Sequence, residues 1–326
     1  MNPYAEKLDF TGRNVIVTGA LSGAGRAIAE VFIESGANVI LTYNRSGSAA
    51  DELRAKYPDR NLRFYRLDQS DMASIQTFVE ALTADLDADS RAAIEGLTED
   101  PDEITEDLSA EPSGGPRIDC LVNNAGIYPA KAIDQIEPDD WDAMLDTNTK
   151  GVFFLSKAIR PLIRDGAIVN ISSINATNPA RMLAHYGASK AAVEMLTRSM
   201  AQSFGPTVRV NCVAPGLIYK EGQDEFIPGW TDSYRERSPL HKLVQAEEIG
   251  KTCLFLASDL ASAVTGQVLI DLGCPQGLFS EHFPRTQPGP ASSKRIGASF
   301  LHSFSISSAS FRISHWARLQ HRRVKK

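Results

Sequence analysis

Residues 14–25 read Asn-Val-Ile-Val-Thr-Gly-Ala-Leu-Ser-Gly-Ala-Gly, an apolar run followed by a glycine-rich turn. Glycines let the backbone bend tightly and approach a phosphate closely. A helix that opens behind such a turn offers free N–H groups and the positive end of its dipole to an anion. The stretch therefore predicts a strand, a phosphate-binding turn and a helix. The candidate phosphate contacts are Gly19, Ser22, Gly23 and Gly25.

Outward from this stretch, short apolar runs alternate with longer segments of helical periodicity. The runs are nearly continuous and rich in Val and Ile, as expected of parallel strands covered on both faces. The alternation predicts an α/β fold of Rossmann type, a doubly wound parallel sheet of about seven strands with helices on both faces. The predicted strands are residues 14–18, 38–42, 62–67, 118–122, 167–171, 208–213 and 267–271. The predicted helices are residues 25–35, 48–56, 71–84, 139–163, 184–204 and 246–257.

The composition fits a folded protein with one large α/β domain, since the chain has 326 residues, of which 43% are hydrophobic and 23% charged. It contains neither an apolar stretch of about 18 residues nor an apolar leader, so we expect no membrane association and a cytoplasmic location. The four cysteines show no close pair and no metal-ligand spacing. They are interpreted as buried reduced thiols, and no metal site is expected.

Two segments interrupt the α/β pattern. Residues 85–116 form an acidic insert that precedes a strand, at the edge of the sheet opposite to the one where ligands bind in such folds. Residues 280–326 form a basic, Ser-rich tail with little periodicity, for which we expect disorder, or alternatively a basic contact helix. The rest of the chain is acidic, which argues against nucleic-acid binding. We expect one domain over residues 1–279, with a peripheral insert and the tail outside it.

Further motifs occur in a fixed order after the glycine-rich turn, which fits T-G-x-x-x-G-x-G from Thr18 to Gly25. Together they resemble the short-chain dehydrogenase/reductase superfamily over about residues 10–274, and only the insert and the tail lie outside the resemblance. The motifs are Asn123-Asn124-Ala125-Gly126, Asn148, Ser172-Ser173, Tyr186-Gly187-Ala188-Ser189-Lys190 and Pro215-Gly216.

The predicted catalytic residues are Asn148, Ser173, Tyr186 and Lys190. Tyr186 and Lys190 are one helical turn apart, and a neighbouring ammonium is expected to lower the pKa of a phenol. Tyr186 would then exchange a proton with a carbonyl or alcohol oxygen to which Ser173 donates a hydrogen bond. The resemblance implies that Lys190 also holds the nicotinamide ribose and that Asn148 supports a water relay to it. His185 is adjacent to Tyr186 and faces elsewhere, so we expect it to have a packing or rim role.

The residues after the second strand bear on the choice of cofactor. No acid occurs in Tyr43-Asn44-Arg45, and Arg45 could bind the 2′-phosphate of NADP. Ser22 argues the other way, because many NADP-using relatives have a basic residue there. We predict NADP as the preferred cofactor and NAD as the alternative. The further predicted cofactor contacts are Asn44, Arg45, Asp68, Gln69, Asn124, Ala125, Gly126, Tyr186, Lys190, Pro215, Gly216 and Ile218.

Lys220 marks a departure from the family pattern. It falls near the position of a threonine that often anchors the nicotinamide carboxamide, and this puts that contact in doubt. Residues 220–240, which include Phe226, Trp230 and Tyr234, are expected to form a lid.

The functional hypothesis is hydride transfer between a nicotinamide and a small carbonyl or alcohol substrate, with a ketone or 3-oxoacyl-type reductase as the leading class. The alternatives are a sugar or polyol dehydrogenase and a catalytically weak dinucleotide-binding regulator. The resemblance also implies a homodimer or homotetramer.

Overall fold

A computed structural model describes residues 6–45, 47–95, 117–220 and 230–271. Within them, seven strands form one parallel sheet in the order β3-β2-β1-β4-β5-β6-β7, which confirms the predicted fold class. The strands are β1 (Asn14–Val17), β2 (Asn38–Tyr43), β3 (Leu62–Arg66), β4 (Cys120–Asn123), β5 (Gly166–Ile171), β6 (Val208–Pro215) and β7 (Val268–Asp271). The helices are α1 (Gly23–Glu34), α2 (Ser48–Lys56), α3 (Met72–Glu95), α4 (Pro138–Leu145), α5 (Gly151–Ile159), α6 (Ala184–Phe204), α7 (Trp230–Arg237) and α8 (Ala246–Ala257).

Apolar clusters cover both faces of the sheet. Successive residues of β1 point to opposite faces, so Val15 packs in the cluster that contains α1 and α8, whereas Ile16 packs in the one that contains α3, α5 and α6. Both side chains are fully buried. Burying a side chain of this size stabilises the fold by roughly 1.5–3 kcal/mol. Because both faces of the sheet are covered, successive residues of each strand are apolar, and the strands form nearly continuous apolar runs in the sequence.

Helix α3 is longer than predicted, since it continues past residue 84 to Glu95. The prediction that the helix ends at residue 84, where the acidic insert was expected to begin, is therefore wrong. Leu86 continues the buried stripe of the helix. Asp85 accepts a hydrogen bond from Tyr65, and Asp89 pairs with Arg63, so acids one turn apart attach the helix to β3. These acids support the added turns rather than an irregular loop.

The long helix predicted over residues 139–163 is interrupted. A π-helical turn, Asp146–Lys150, separates α4 from α5, and the segment ends in a 3₁₀ turn. Gly151 packs so closely against the loop between β3 and α3 that a Cβ on Gly151 would be 2.3 Å from the Gln69 carbonyl oxygen. Wide turns of this kind inside helices are frequent at functional sites. This one contains Asn148.

The candidate site residues lie at the carboxyl edge of the sheet. The strand order reverses between β1 and β4, and ligands of open α/β sheets bind in the crevice at such a point.

In the described part of the chain no helix is long and apolar enough to cross a membrane, and no group of side chains could hold a metal ion. Three of the cysteines, Cys120, Cys212 and Cys253, are described, and all three are buried and outside any disulfide. The tail and residues 96–116 of the insert lie outside the described residues.

Candidate active site

The glycine-rich turn between β1 and α1 has the geometry of a phosphate cradle. Gly19 and Gly23 have φ angles of 63° and 53°, which favour glycine. A Cβ on Gly25 would lie 2.1 Å from the Gly19 carbonyl oxygen, whereas one on Gly23 would meet no described residue within 4 Å. Ser22 is the N-cap of α1, but its side chain makes no capping hydrogen bond. The open N-terminus and the bare glycines fit the pyrophosphate of a dinucleotide.

Thr18 joins this turn to the turn after β4. Its Oγ1 accepts hydrogen bonds from the backbone N–H groups of Asn124, at 3.0 Å, and Ala125, at 2.9 Å. The Asn124 side-chain amide donates back to the Thr18 carbonyl oxygen at 2.9 Å. Thr18 belongs to the T-G-x-x-x-G-x-G motif, but its role in joining the two turns was not predicted. The signal in the sequence that could have indicated this role is a hydroxyl side chain directly after the last residue of β1.

Asp68, Asn44 and Arg45 come together at the ends of β2 and β3. Burial raises the pKa of the Asp68 carboxyl, but hydrogen bonds from Ser70 and Asn44 and the charge of Arg45 outweigh it, so the net shift is downward. A charged Asp68 therefore shares this corner with Arg45. From the order of the motifs along the sheet, these three residues would border the adenosine end of a bound dinucleotide.

Gln69 serves the protein's own backbone. Its side-chain amide donates to the Ala125 carbonyl oxygen at 2.9 Å and to that of Thr147 at 2.8 Å. These bonds link the β4 turn to the π-helical turn. Gln69 is buried, and we therefore interpret it as a residue that positions both turns.

Asn148 is fully buried and holds the neighbouring loop in place. Its Oδ1 accepts from the Ile127 N–H and its Nδ2 donates to the Ile127 carbonyl oxygen, both at 2.8 Å. Nδ2 also lies 3.1 Å from Ser189 Oγ, which donates to the Tyr186 carbonyl oxygen at 2.7 Å. A Cβ on Gly126 would be 3.0 Å from Asn148 Oδ1 and 3.6 Å from Lys190 Nζ, so these groups surround one point. Ser189, which had been given no role, couples the π-helical turn to α6.

Ser173, Tyr186 and Lys190 are brought together between β5 and α6. Ser173 lies close enough to Tyr186 for its hydroxyl to lower the pKa of the phenol, against the larger effect of burial. Lys190 Nζ lies 5.8 Å from the centroid of the Tyr186 ring and donates to the Ile171 carbonyl oxygen at 2.8 Å. Two hydroxyls and one buried amine thus converge at the carboxyl end of β5.

The pKa of Tyr186 is shifted opposite to the expected direction. Burial raises the pKa of Tyr186, the neighbouring Ser173 hydroxyl opposes this, and nearby Tyr128 raises it further. Burial also lowers the pKa of Lys190 to about 8. The expected lowering by the ammonium does not dominate, because the low-dielectric surroundings favour the neutral forms of both groups.

This shift predicts a specific pH dependence of stability. The unfolded chain keeps the Lys190 proton up to about 10.5, whereas the folded chain releases it from about 8. Between these values the unfolded state binds more protons, so the contribution of Lys190 to the free energy of unfolding rises with pH. In urea unfolding, wild type should gain stability relative to Lys190→Met between pH 8 and pH 10.5. Lys251→Met is the control, because the pKa of exposed Lys251 is raised, mainly by its hydrogen bond to Glu247. A constant or falling difference for Lys190→Met would contradict the shift.

The segment after β6 is fixed to the body by backbone contacts. Pro215 ends β6 and is buried, and Ile218 forms a parallel bridge with Val244. The Leu217 N–H donates to the Tyr234 hydroxyl at 3.1 Å. Tyr234 of α7 is 2% exposed, so it anchors this segment from the inside. Residues 221–229 of the predicted lid lie outside the described residues.

Lys220 contacts a tyrosine that the sequence analysis did not single out. Its Nζ donates to the Tyr128 hydroxyl at 2.8 Å and lies 5.3 Å from the centre of that ring. The Tyr128 and Tyr186 ring centroids are 6.2 Å apart. Lys220 therefore reaches the β4–α4 loop next to Tyr186.

His185 lies in the interior, where it is 0% exposed, so the packing role is confirmed and a rim position is excluded. Neither ring nitrogen has a hydrogen-bond partner among the described residues.

Comparisons with known proteins agree with this geometry. The family model described as short chain dehydrogenase matches residues 13–97, and the one described as Enoyl-(Acyl carrier protein) reductase matches residues 99–274. A 3-oxoacyl-(acyl-carrier-protein) reductase of Thermotoga maritima is 33% identical, over 79% of this chain and 95% of the relative.

Two solved structures are also similar. A protein of Brucella melitensis described as a short-chain dehydrogenase/reductase, glucose/ribitol dehydrogenase, has a TM-score of 0.66 and 32% identity, over 80% of this chain and 96% of its own. A gluconate 5-dehydrogenase from Burkholderia cenocepacia, solved with NADP and tartrate, has a TM-score of 0.67 and 26% identity, over 83% and 97% of the two chains. Members of this family bind NAD(P) and interconvert alcohols and carbonyl compounds. This chain belongs to the short-chain dehydrogenase/reductase family of oxidoreductases.

Proposed function

We propose that the protein is an NADP-preferring reductase of ketone or 3-oxoacyl-type substrates, with Ser173, Tyr186 and Lys190 at its catalytic centre. The observation that carries the proposal is the grouping of Ser173, Tyr186 and buried Lys190 at the carboxyl edge of the sheet, with Lys190 Nζ 5.8 Å from the centroid of the Tyr186 ring. The Thermotoga relative, a 3-oxoacyl reductase, supports the substrate class.

The chain's own groups perform the proton transfer. The substrate carbonyl oxygen accepts hydrogen bonds from the Ser173 and Tyr186 hydroxyls, which stabilise the negative charge that develops on it. The reduced nicotinamide, when bound, supplies the hydride to the carbonyl carbon. The Tyr186 proton then passes to the oxygen, and the product is an alcohol. Lys190 lies within reach of Tyr186, and Asn148 keeps the Ile127 backbone and the Ser189 hydroxyl in place beside it.

The protonation state supports the reductive direction. A raised pKa keeps the Tyr186 phenol protonated near neutral pH, and carbonyl reduction needs a proton donor. Alcohol oxidation needs the phenolate, so it should be favoured at higher pH.

The glycine-rich turn and the cluster around Arg45 support the binding of a dinucleotide phosphate. Gly19, Ser22, Gly23 and Gly25 would hold the pyrophosphate. Asn124, Ala125 and Gly126, with the segment Pro215–Gly216–Ile218, would border the nicotinamide half, and Lys190 and Tyr186 its ribose. Asp68 would contact the adenine, and Arg45 would meet the 2′-phosphate, since it is exposed at the end of β2.

Arg45→Ala is expected to weaken NADPH binding more than NADH binding. The lost charge-assisted contact should cost roughly 1–3 kcal/mol, or about five- to 150-fold in Kd for NADPH alone. Fluorescence titration with both cofactors measures this. Exposed Arg60 provides the matched control in Arg60→Ala, which should leave both affinities unchanged. Equal weakening for NADPH and NADH would show that Arg45 does not read the phosphate.

Turnover of a substrate panel tests the proposed function itself. Ketones, 3-oxoacyl thioesters, sugars and polyols would be assayed with NADPH and NADH side by side. Reduction of ketones or 3-oxoacyl thioesters with NADPH supports the proposal. A preference for sugars or polyols would favour the second candidate, a sugar dehydrogenase, to which the Brucella and Burkholderia structures point. Binding of dinucleotide without turnover would favour the regulator.

A homodimer or homotetramer is part of the proposal. Phe154 of α5 is exposed and lines a groove together with Phe153 and Leu196, and Met195 of α6 is a further exposed apolar side chain. Covering such a surface with a second copy would remove apolar area from water. Light scattering measures the number of copies in the assembly.

The cytoplasmic location and the domain boundary at residue 279 remain predictions.

A further inference from the structure

We propose that Gln69 is a positioning residue for catalysis, because it holds the π-helical turn that presents Asn148 to the proposed active site. The inference rests on the proposed function and adds a residue on which the rate of that reaction depends. Gln69 is 4% exposed and lies in the loop between β3 and α3. The sequence marked it only as a candidate cofactor contact, and the structure gives its side chain another task.

Two hydrogen bonds identify the groups that the Gln69 side chain holds. Its Nε2 donates to the Thr147 carbonyl oxygen at 2.8 Å and to the Ala125 carbonyl oxygen at 2.9 Å. A primary amide has two N–H donors, so both are used, and only its nitrogen can serve two carbonyl oxygens. Oε1 is buried and has no hydrogen-bond partner among the described residues. The fold therefore uses the donors of this amide, and they are directed at the backbone of the two turns.

Gln69 contacts the π-helical turn at both of its ends. Thr147 lies next to Asn148 near the start of the turn, and Gly151 follows its last residue. The Gln69 side chain binds the Thr147 carbonyl oxygen, whereas the Gln69 backbone packs against Gly151, where a Cβ would be 2.3 Å from the Gln69 carbonyl oxygen. Wide turns of this kind are rare in helices, so contacts from outside the helix are needed to stabilise this one. Gln69 supplies them on both sides of Asn148.

The two turns that Gln69 joins do not depend on it equally. Thr18 also holds the Ala125 N–H, at 2.9 Å, so the turn after β4 keeps an attachment to β1 when Gln69 is changed. Asn148 takes its position from the π-helical turn, and it holds the Ile127 N–H and carbonyl oxygen at 2.8 Å. Loss of the Gln69 donors should therefore displace Asn148 more than the cofactor turn. The expected result is a lower kcat with little change in binding.

The first test is a double-mutant cycle between Gln69 and Asn148. Gln69→Met keeps the length of the side chain and removes both donors. It should lower kcat for the best ketone at least tenfold and leave the KM for the ketone and the Kd for NADPH within about twofold. In an Asn148→Ala background the same substitution should lower kcat by less than about twofold, because a residue that acts through another has no effect once that other is removed.

Three outcomes of the cycle would overturn the proposal: an unchanged kcat in Gln69→Met, equal losses of kcat in the two backgrounds, or a loss that appears in the Kd for NADPH instead. Gln69→Asn keeps a buried amide but is one methylene shorter, so it cannot reach both carbonyl oxygens. It should give the same pattern as Gln69→Met if the latter folds poorly. The matched control is Gln76→Met, at an exposed glutamine on α3, and it should leave kcat unchanged.

A second test does not depend on turnover. Because Asn148 Oδ1 holds the Ile127 N–H, displacement of Asn148 should release that amide. Hydrogen exchange at Ile127 in the full-length protein should become at least tenfold faster in Gln69→Met, whereas exchange along β6 should match wild type. Unchanged exchange at Ile127, or equal acceleration along β6, would overturn the proposal. If the wild type reduces no ketone, the proposed function fails, and the exchange at Ile127 still decides whether Gln69 holds Asn148 in place.

Discussion

Replacing Tyr186 with Phe is expected to lower kcat/KM for carbonyl reduction by about a hundredfold or more, which is the usual contribution of a positioned proton donor. The substitution removes one hydroxyl and keeps the ring, so its contact with the Tyr128 ring and the packing under Lys190 should remain. Steady-state kinetics with NADPH and the best ketone of the panel measures the loss. The affinity for NADPH and the midpoint of thermal unfolding should change little.

A matched variant separates this role from a general effect of losing a phenol. Tyr57 at the end of α2 donates to Glu34 at 2.8 Å, far along the chain from the cluster around Tyr186. Tyr57→Phe also removes a phenol hydroxyl, but one outside the proposed catalytic cluster, so it should leave kcat/KM within about twofold. The exposed hydrogen bond that it loses is worth about 1 kcal/mol or less in stability. Near-normal turnover by Tyr186→Phe would eliminate Tyr186 as the proton donor.

Gly25→Ala is expected to disrupt the cofactor turn. The new Cβ would lie 2.1 Å from the Gly19 carbonyl oxygen and 2.4 Å from Asn124 Nδ2, and the first of these is backbone that cannot rotate away. The turn must open, and the hydrogen bond between Asn124 and Thr18 must move with it. We expect the Kd for NADPH to rise at least tenfold and the free energy of unfolding to fall by about 1–3 kcal/mol, as for other overpacked sites.

Gly47→Ala is the control for this variant. Among the residues that the structure describes, a Cβ at Gly47 would meet the Tyr43 side chain alone, at 3.8 Å, which is ordinary contact. Its Kd for NADPH and its unfolding midpoint should match those of wild type. Fluorescence titration and urea unfolding measure both quantities. An unchanged Kd for NADPH in Gly25→Ala would show that the turn does not bind the dinucleotide.

The positions of the strands could be predicted because each buried strand leaves a local signature. The apolar run of β1 and its partner β2 pair in parallel register from Asn14 opposite Asn38, close to the predicted bounds. Helices α2, α6 and α8 have the predicted bounds, because their ends coincide with changes of periodicity in the sequence. The grouping of Ser173, Tyr186 and Lys190 likewise follows from helix spacing and from the carboxyl end of β5.

Tertiary contacts decided the features that the sequence analysis missed. The turns of α3 beyond residue 84 depend on Asp85 and Asp89 meeting β3, and the π-helical turn depends on the close approach of Gly151 to Gln69. The role of Gln69 as a bridge between two backbone turns was missed for the same reason. Such contacts join residues far apart in the chain, so no local pattern of the sequence announces them.

The sequence by itself determined the family, the parallel sheet and the order of the functional motifs along its carboxyl edge, because hydrophobic periodicity and short spacings are local properties. Only the tertiary structure decided the electrostatic state of those motifs. The pKa of Tyr186 rises and that of Lys190 falls to about 8, since burial is a property of everything packed around a group. It also decided that Lys220 meets Tyr128, two residues on different loops whose contact depends on the folding of β4 and β6 into one sheet.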